Sequence, residues 1–154
     1  MKVKTRCFGE IEIADEKIVH FDNGIMGYEE YKDYTIIYDS EKQAGKSIMW
    51  LQSLDEQALA LPVINPVLVT EQYDPIVEDE LLKSIGDFTD DDLLILVTLT
   101  VPSDLTKMTA NFKAPIVMNS ATLKGIQIIA ENEEYKIKQP IYDLLMARAE
   151  RDGE

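Results

Sequence analysis

The chain has 154 residues and a mass of 17.5 kDa, the size of one compact domain, and its 45% hydrophobic and 29% charged residues exclude a disordered polymer. Fifteen Lys and Arg face 29 Asp and Glu, a net charge of -14, so the backbone of a nucleic acid or an anionic membrane surface would be repelled. Direct nucleic-acid or membrane binding is therefore not expected.

Residues 1–9 alternate Lys2, Lys4 and Arg6 with Val3, Thr5 and Cys7, a strand period without the apolar core of a signal peptide. Cys7 is the one cysteine, which rules out an intrachain disulfide and fits a reducing cytoplasm. Further strands are expected at 10–13, 18–21, 34–38, 48–52 and 58–64, with a turn bracketed by Gly24 and Gly27. Asp74-Pro75 is a breaker, after which 78–85 reads as a short helix with its acids in the first turn, Leu81, Leu82 and Ile85 facing inward, and Gly86 as its stop. The stretch 93–101 begins apolar on both faces and is the expected central strand, too short to cross a bilayer, which takes about 20 residues. One long strand is expected over 109–118 and another over 125–130. A second helix is expected to begin at Pro140, with Ile141, Leu144 and Leu145 on one face. The whole reads as a mainly β protein, a single domain over 1–150, with 151–154 a fraying tail.

Charge is uneven along this order. Residues 1–70 carry 12 acids and 7 bases, residues 71–104 carry 10 and 1, and residues 105–154 carry 7 and 7, so -9 of the -14 lies in the middle segment. Its clusters are Glu78, Asp79, Glu80 and Asp90, Asp91, Asp92. Two readings stay open: a solvated surface, or a patch that meets a basic partner or repels a polyanion.

Catalytic chemistry finds little to stand on. His20 is the sole histidine and lies in an apolar strand, where a buried or half-buried structural imidazole is expected. One His and one Cys cannot make the ligand sets of zinc sites, and nothing in their spacing demands a Cys7–His20 pair. The Ala44-Gly45-Lys46-Ser47 run resembles the end of a phosphate loop, but Ser40 stands where the first glycine is needed. The Asp87–Asp92 run fails as a calcium loop because Asp92 occupies the glycine position. No catalytic residue, metal or cofactor is expected, and a protein-binding role remains.

Five blocks carry a resemblance. They are Phe21-Asp22-Asn23-Gly24-Ile25-Met26-Gly27-Tyr28, Leu51-Gln52-Ser53, Asn65-Pro66, Thr98 to Val101, and Thr109-Ala110-Asn111-Phe112-Lys113-Ala114-Pro115 running on to Asn119. In this order they resemble the signature blocks of the bacterial flagellar assembly factor FliW family, over most of the chain from Phe8 to Pro140. Met26 stands where the family usually has proline and Phe112 where leucine is common. Phe21, Gly24, Gly27, Tyr28, Gln52, Ser53, Asn65, Pro66, Asn111, Ala114 and Pro115 are the motif positions, and most are expected to build turns and bulges rather than touch a partner.

The resemblance implies a small antiparallel β-barrel-like domain with one or two short helices, no cofactor and no small-molecule substrate. It also implies two protein partners in the cytoplasm: flagellin, and CsrA, an RNA-binding translational repressor. Free FliW would capture CsrA and relieve repression of flagellin synthesis, while accumulated flagellin would occupy FliW. The rivals are a generic acidic β-barrel adaptor and an RNA-mimicking inhibitor of another basic RNA-binding protein.

Overall fold

The computed structural model describes residues 2–6, 8–38, 48–70 and 72–151. The expectations placed on Cys7, Ser40 and 44–47, and on 152–154 of the tail, fall outside them. A hairpin of β1 (Lys2–Lys4) and β2 (Glu10–Glu12) precedes β3 (Ile18–Phe21), β4 (Asp33–Tyr38), β5 (Ile48–Ser53) and β6 (Ala60–Ile64). The helix α1 (Asp79–Lys83) leads to β7 (Leu93–Thr100), β8 (Thr109–Ala110), β9 (Ile116–Asn119), β10 (Lys124–Gln127), β11 (Gln139–Pro140) and α2 (Tyr142–Arg151).

Seven strands close into a barrel in the order β3-β4-β5-β6-β7-β9-β10 and back to β3. An odd ring cannot alternate direction all the way round. The mismatch falls between β10 and β3, which pair in parallel with Lys124 opposite His20 and Gly125 opposite Phe21; the other neighbours in the ring are antiparallel.

Alternate residues of the strands point inward, as the strand period requires. Phe21, Tyr34, Met49, Leu51, Val63, Leu96, Ile116 and Met118 fill the lumen with Ile25 and Leu59. The Phe21 and Tyr34 rings meet edge to face at 5.4 Å, the arrangement their quadrupoles favour. The Tyr34 hydroxyl is buried without a hydrogen-bond partner among the described residues. Burial pushes it up to about 12, helped by Asp55, Tyr28 and Tyr31. Gly125 faces this ring layer, and a Cβ there would lie 2.6 Å from Cε2 and Cζ of Phe21.

The outer face of β7 is apolar because two more clusters cover it. Val97 and Leu99 pack with Ile64, Tyr73, Met108, Phe112 and Ile141, while Leu93 and Ile95 pack against Ile85, Val117, Ile126 and Ile128. Tyr73 stacks on Tyr135 at 4.8 Å and lies 5.1 Å from Phe112. Its hydroxyl donates to the Phe112 carbonyl at 2.8 Å, and burial raises it well above the ordinary tyrosine range.

Four expectations need correction. The strand expected over 109–118 is two strands, β8 and β9, on the same side of β7. Leu99 pairs with Ala110 and Leu96 with Ile116, so three steps along β7 are matched by six on the partner. The three extra residues bulge where Pro115 has no N–H to offer a ladder. Pro140 does not open the second helix: it ends β11, opposite Thr109, on an edge where its missing donor costs nothing, and α2 starts at Tyr142. Ile141 is buried and Leu145 packs on its cluster, but Leu144 is exposed. Leu81 of α1 is likewise exposed, because so short a helix turns only Leu82 and the following Ile85 onto the barrel.

Candidate partner-binding surface

The signature residues sit largely in turns, caps and buried hydrogen bonds. Phe21 is fully buried, and the chain turns immediately after it, with the Gly24 N–H donating to the Phe21 carbonyl at 2.9 Å. Gly24 sits at φ +67°, and a Cβ would come within 2.6 Å of the Glu29 backbone, so only glycine fits. Gly27 continues the turn at φ +90°, with its N–H turned to the Glu29 carboxylate at 3.0 Å. Tyr28 closes it through a bridge to Ile25 and leaves its ring partly exposed.

Gln52 is 1% exposed, and its amide is fully used. Nε2 donates to the carbonyls of Ser53, Gln57 and Leu59 at 2.9–3.1 Å, and Oε1 accepts from the Arg6 N–H at 2.9 Å, tying the N-terminal hairpin to the barrel. Ser53 Oγ accepts from the N–H groups of Asp55 and Glu56 at 3.1 and 3.0 Å. Asn65 Oδ1 caps the short 3-10 turn Pro66–Leu68 through the Val67 N–H at 3.1 Å, with Pro66 at the first position, where a donor is not missed. Asn111 Oδ1 accepts from the Ala114 N–H at 3.1 Å and so shapes the bulge, while the Pro115 carbonyl accepts from Ile128 at 3.0 Å.

Gln127 joins the first and last signature blocks. Its Oε1 accepts from the Met26 N–H at 2.9 Å and its Nε2 donates to the Ala114 carbonyl at 3.0 Å. Nothing about a glutamine near a strand end marks that role in the sequence.

The acidic segment lies on the outside of the barrel, over β9 and β10. Glu78, Asp79 and Glu80 are exposed on α1, with Glu80 held by Lys83 at 3.1 Å. Asp90–Asp92 form a 3-10 turn, where Asp91 is exposed and the half-buried Asp92 carboxylate accepts from the Thr89 N–H at 2.9 Å. The Asp92 carbonyl accepts from the Ser120 N–H at 2.9 Å.

Between the two clusters the chain is braced by Asn119, which is fully buried. Its Nδ2 donates to the carbonyls of Ile85 at 2.9 Å and Asp87 at 3.1 Å, and its Oδ1 accepts from Ala121 at 2.9 Å. Thr122 Oγ1 adds a second donor to the Ile85 carbonyl at 2.6 Å. The turn at residues 119–122 therefore ties down the chain at Ile85, Asp87 and Asp92, between and beside the two acidic clusters. Asn119 is a brace that sequence reasoning misses: its one signal is a polar residue ending an apolar strand.

His20 departs from its expected burial. It lies on the outer face of β3 with its side chain 47% exposed, Nδ1 at 2.7 Å from Asp33 and Nε2 at 3.3 Å from Asp22. Lys124 reaches the other Asp22 oxygen at 3.7 Å. The inward positions of β3 are taken by Val19 and Phe21, so the period of two sends His20 out. Among the described residues no group of three His, Cys, Asp or Glu is arranged to hold a metal ion, and no helix is long and apolar enough to cross a membrane.

Comparison with known proteins bears on all of this. The FliW protein family model matches residues 2–141. The chain is 56% identical over 146 residues to the flagellar assembly factor FliW of Lachnospira eligens, covering 94% of this chain and 97% of that one. It is 50% identical to the same factor of Lachnoclostridium phytofermentans, covering 100% and 99%. A crystal structure of the flagellar assembly factor FliW superposes with a TM-score of 0.82 at 32% identity, covering 92% of this chain and 97% of that one. With the barrel, the signature turns and near full-length identity in agreement, the chain belongs to the FliW family.

Proposed function

We propose that this protein is a cytoplasmic, non-enzymatic partner switch in flagellar assembly. It binds flagellin and, when free of it, binds CsrA and relieves repression of flagellin synthesis. The observation that carries this reading is the acidic segment, whose carboxylates at Glu78, Asp79, Glu80, Asp91 and Asp92 stand on a braced outer face of the barrel. Family membership supports the flagellar role, since its relatives are flagellar assembly factors. A clustered acidic face suits a basic RNA-binding partner twice over: it steers association, and it disfavours RNA beside the bound partner through like-charge repulsion.

The test is binding of the purified protein to CsrA with and without flagellin, then with Glu78, Asp79, Glu80, Asp90, Asp91 and Asp92 converted to amides. Flagellin should displace CsrA. Exposed pairs contribute only about 0.2–1 kcal/mol each, so the amide variant should associate more slowly and lose most of its salt dependence. Unchanged CsrA binding and RNA release at low and high salt would refute the role of the segment. Inhibition that vanishes at saturating RNA would instead mark an RNA mimic.

A further inference from the structure

The segment after α1 does more than carry charge. A groove of about 440 Å³ opens between α1 and Gly86–Phe88, lined by Asp79, Leu82, Lys83, Asp87 and Phe88. Its apolar lining is Leu82, which packs against the barrel cluster, and Phe88, a residue 37% exposed. Its charged lining is Asp79 and Asp87 against the single base Lys83, whose ammonium lies 3.1 Å from the exposed Glu80 carboxylate. Its wall is set in advance. The Ile85 and Asp87 carbonyls are fixed by Asn119, and Gly86 sits at φ +88° where a Cβ would lie 2.6 Å from Thr122 Cγ2. A wall already ordered loses little entropy on binding.

We propose that this groove docks a basic protein segment that seats one bulky aliphatic side chain against Leu82 and Phe88 and sets Lys or Arg against Asp79 and Asp87. The chemistry of the occupant follows from complementarity: an apolar lining needs an apolar anchor, and a net-acidic lining disfavours any segment without flanking bases. This deepens the proposed function and rests on its reading of the acidic segment as a face for a protein partner.

The experiment titrates the full-length, ¹⁵N-labelled protein with three synthetic peptides, Lys-Arg-Leu-Arg-Lys, Lys-Arg-Ser-Arg-Lys and Glu-Glu-Leu-Glu-Glu. The first should shift amides confined to residues 79–88. The serine peptide should bind about tenfold more weakly, the worth of one buried leucine, and the acidic peptide should not bind. Phe88→Ala should weaken the first peptide about tenfold with its salt dependence intact, whereas Asp79→Asn with Asp87→Asn should flatten that dependence. Equal affinity for the leucine and serine peptides, or shifts spread over the acidic surface regardless of the anchor, would overturn the groove as a site.

Binding of CsrA to the same variants separates this proposal from the reading beneath it. Loss in the six-amide variant with full binding by Phe88→Ala would remove the groove and keep the acidic face. Full binding by both would remove both. Phe88 is partly exposed and its truncation leaves the barrel core intact, so an unchanged spectrum elsewhere verifies the fold.

Discussion

Asn119→Ala tests whether the acidic segment is a surface with a built foundation. The substitution removes two donated bonds, at 2.9 and 3.1 Å, and one accepted bond at 2.9 Å, from a side chain that is fully buried. The Ile85 carbonyl keeps its Thr122 partner, while the Asp87 carbonyl and the Ala121 N–H lose theirs at part-buried positions. Net hydrogen bonds of about 0.5–1.5 kcal/mol each, plus the small void left, give a loss of about 3 kcal/mol. For a domain of this size that is about 6–12 °C in Tm. Urea denaturation measures the first quantity. Hydrogen exchange measures the second consequence, faster exchange of amides in 78–92 at denaturant concentrations where β4–β6 stay protected. Asn119→Asp should be at least as damaging, since a carboxylate oxygen would face two carbonyls. A loss under about 1 kcal/mol with unchanged exchange in 78–92 would refute the brace.

Gly125→Ala should cost at least about 2 kcal/mol by urea denaturation, because the added carbon lands 2.6 Å from a fully buried ring that has nowhere to go; a near-neutral result would mean that Phe21 can move. The Tyr34 hydroxyl ionises near 12 in the folded chain and near about 10 when unfolded. The folded state therefore holds a proton that the unfolded state releases between those values. Stability should be intact below pH 10 and fall from about pH 10 to 12, and Tyr34→Phe should soften that fall in a urea series. Met26→Pro restores the usual family residue but removes the N–H that donates to Gln127. The gain of about 0.4–1 kcal/mol from a stiffer unfolded chain is offset by the lost bond, so no net stabilisation is expected in the urea midpoint.

Much of the fold is legible because it depends on local pattern. The strand from Ile18 to Phe21 ends where the alternation and the Gly24 turn end it, and β7 is recognisable as central from its two apolar faces. The bulge at Pro115 is legible too, although the break between β8 and β9 is not, since both halves carry strand residues and only the register against β7 shows three residues to spare. Pro140 misleads because proline suits a helix start and an edge strand equally. His20 misleads because its neighbours are apolar on both sides of it, and only the barrel decides which of them face in. The signature turns are readable as turns, but the partners of Gln127 and Asn119 lie across the barrel, where no local rule reaches.

The parallel pairing of β10 with β3 fixes when the molecule can become complete. Strands β4, β5 and β6 pair with sequence neighbours and can form as soon as they are made, but β3 keeps a bare edge until Gly125 arrives beside Phe21. On a ribosome, the first four-fifths of the chain, up to the start of β10 at Lys124, must therefore wait as an open sheet, with β3 offering unpaired backbone groups to any passing strand. The last seam to close joins the turn at Gly24 to Gln127, so a chain truncated before β10 would be held open, prone to pair with its own copies rather than to fold alone.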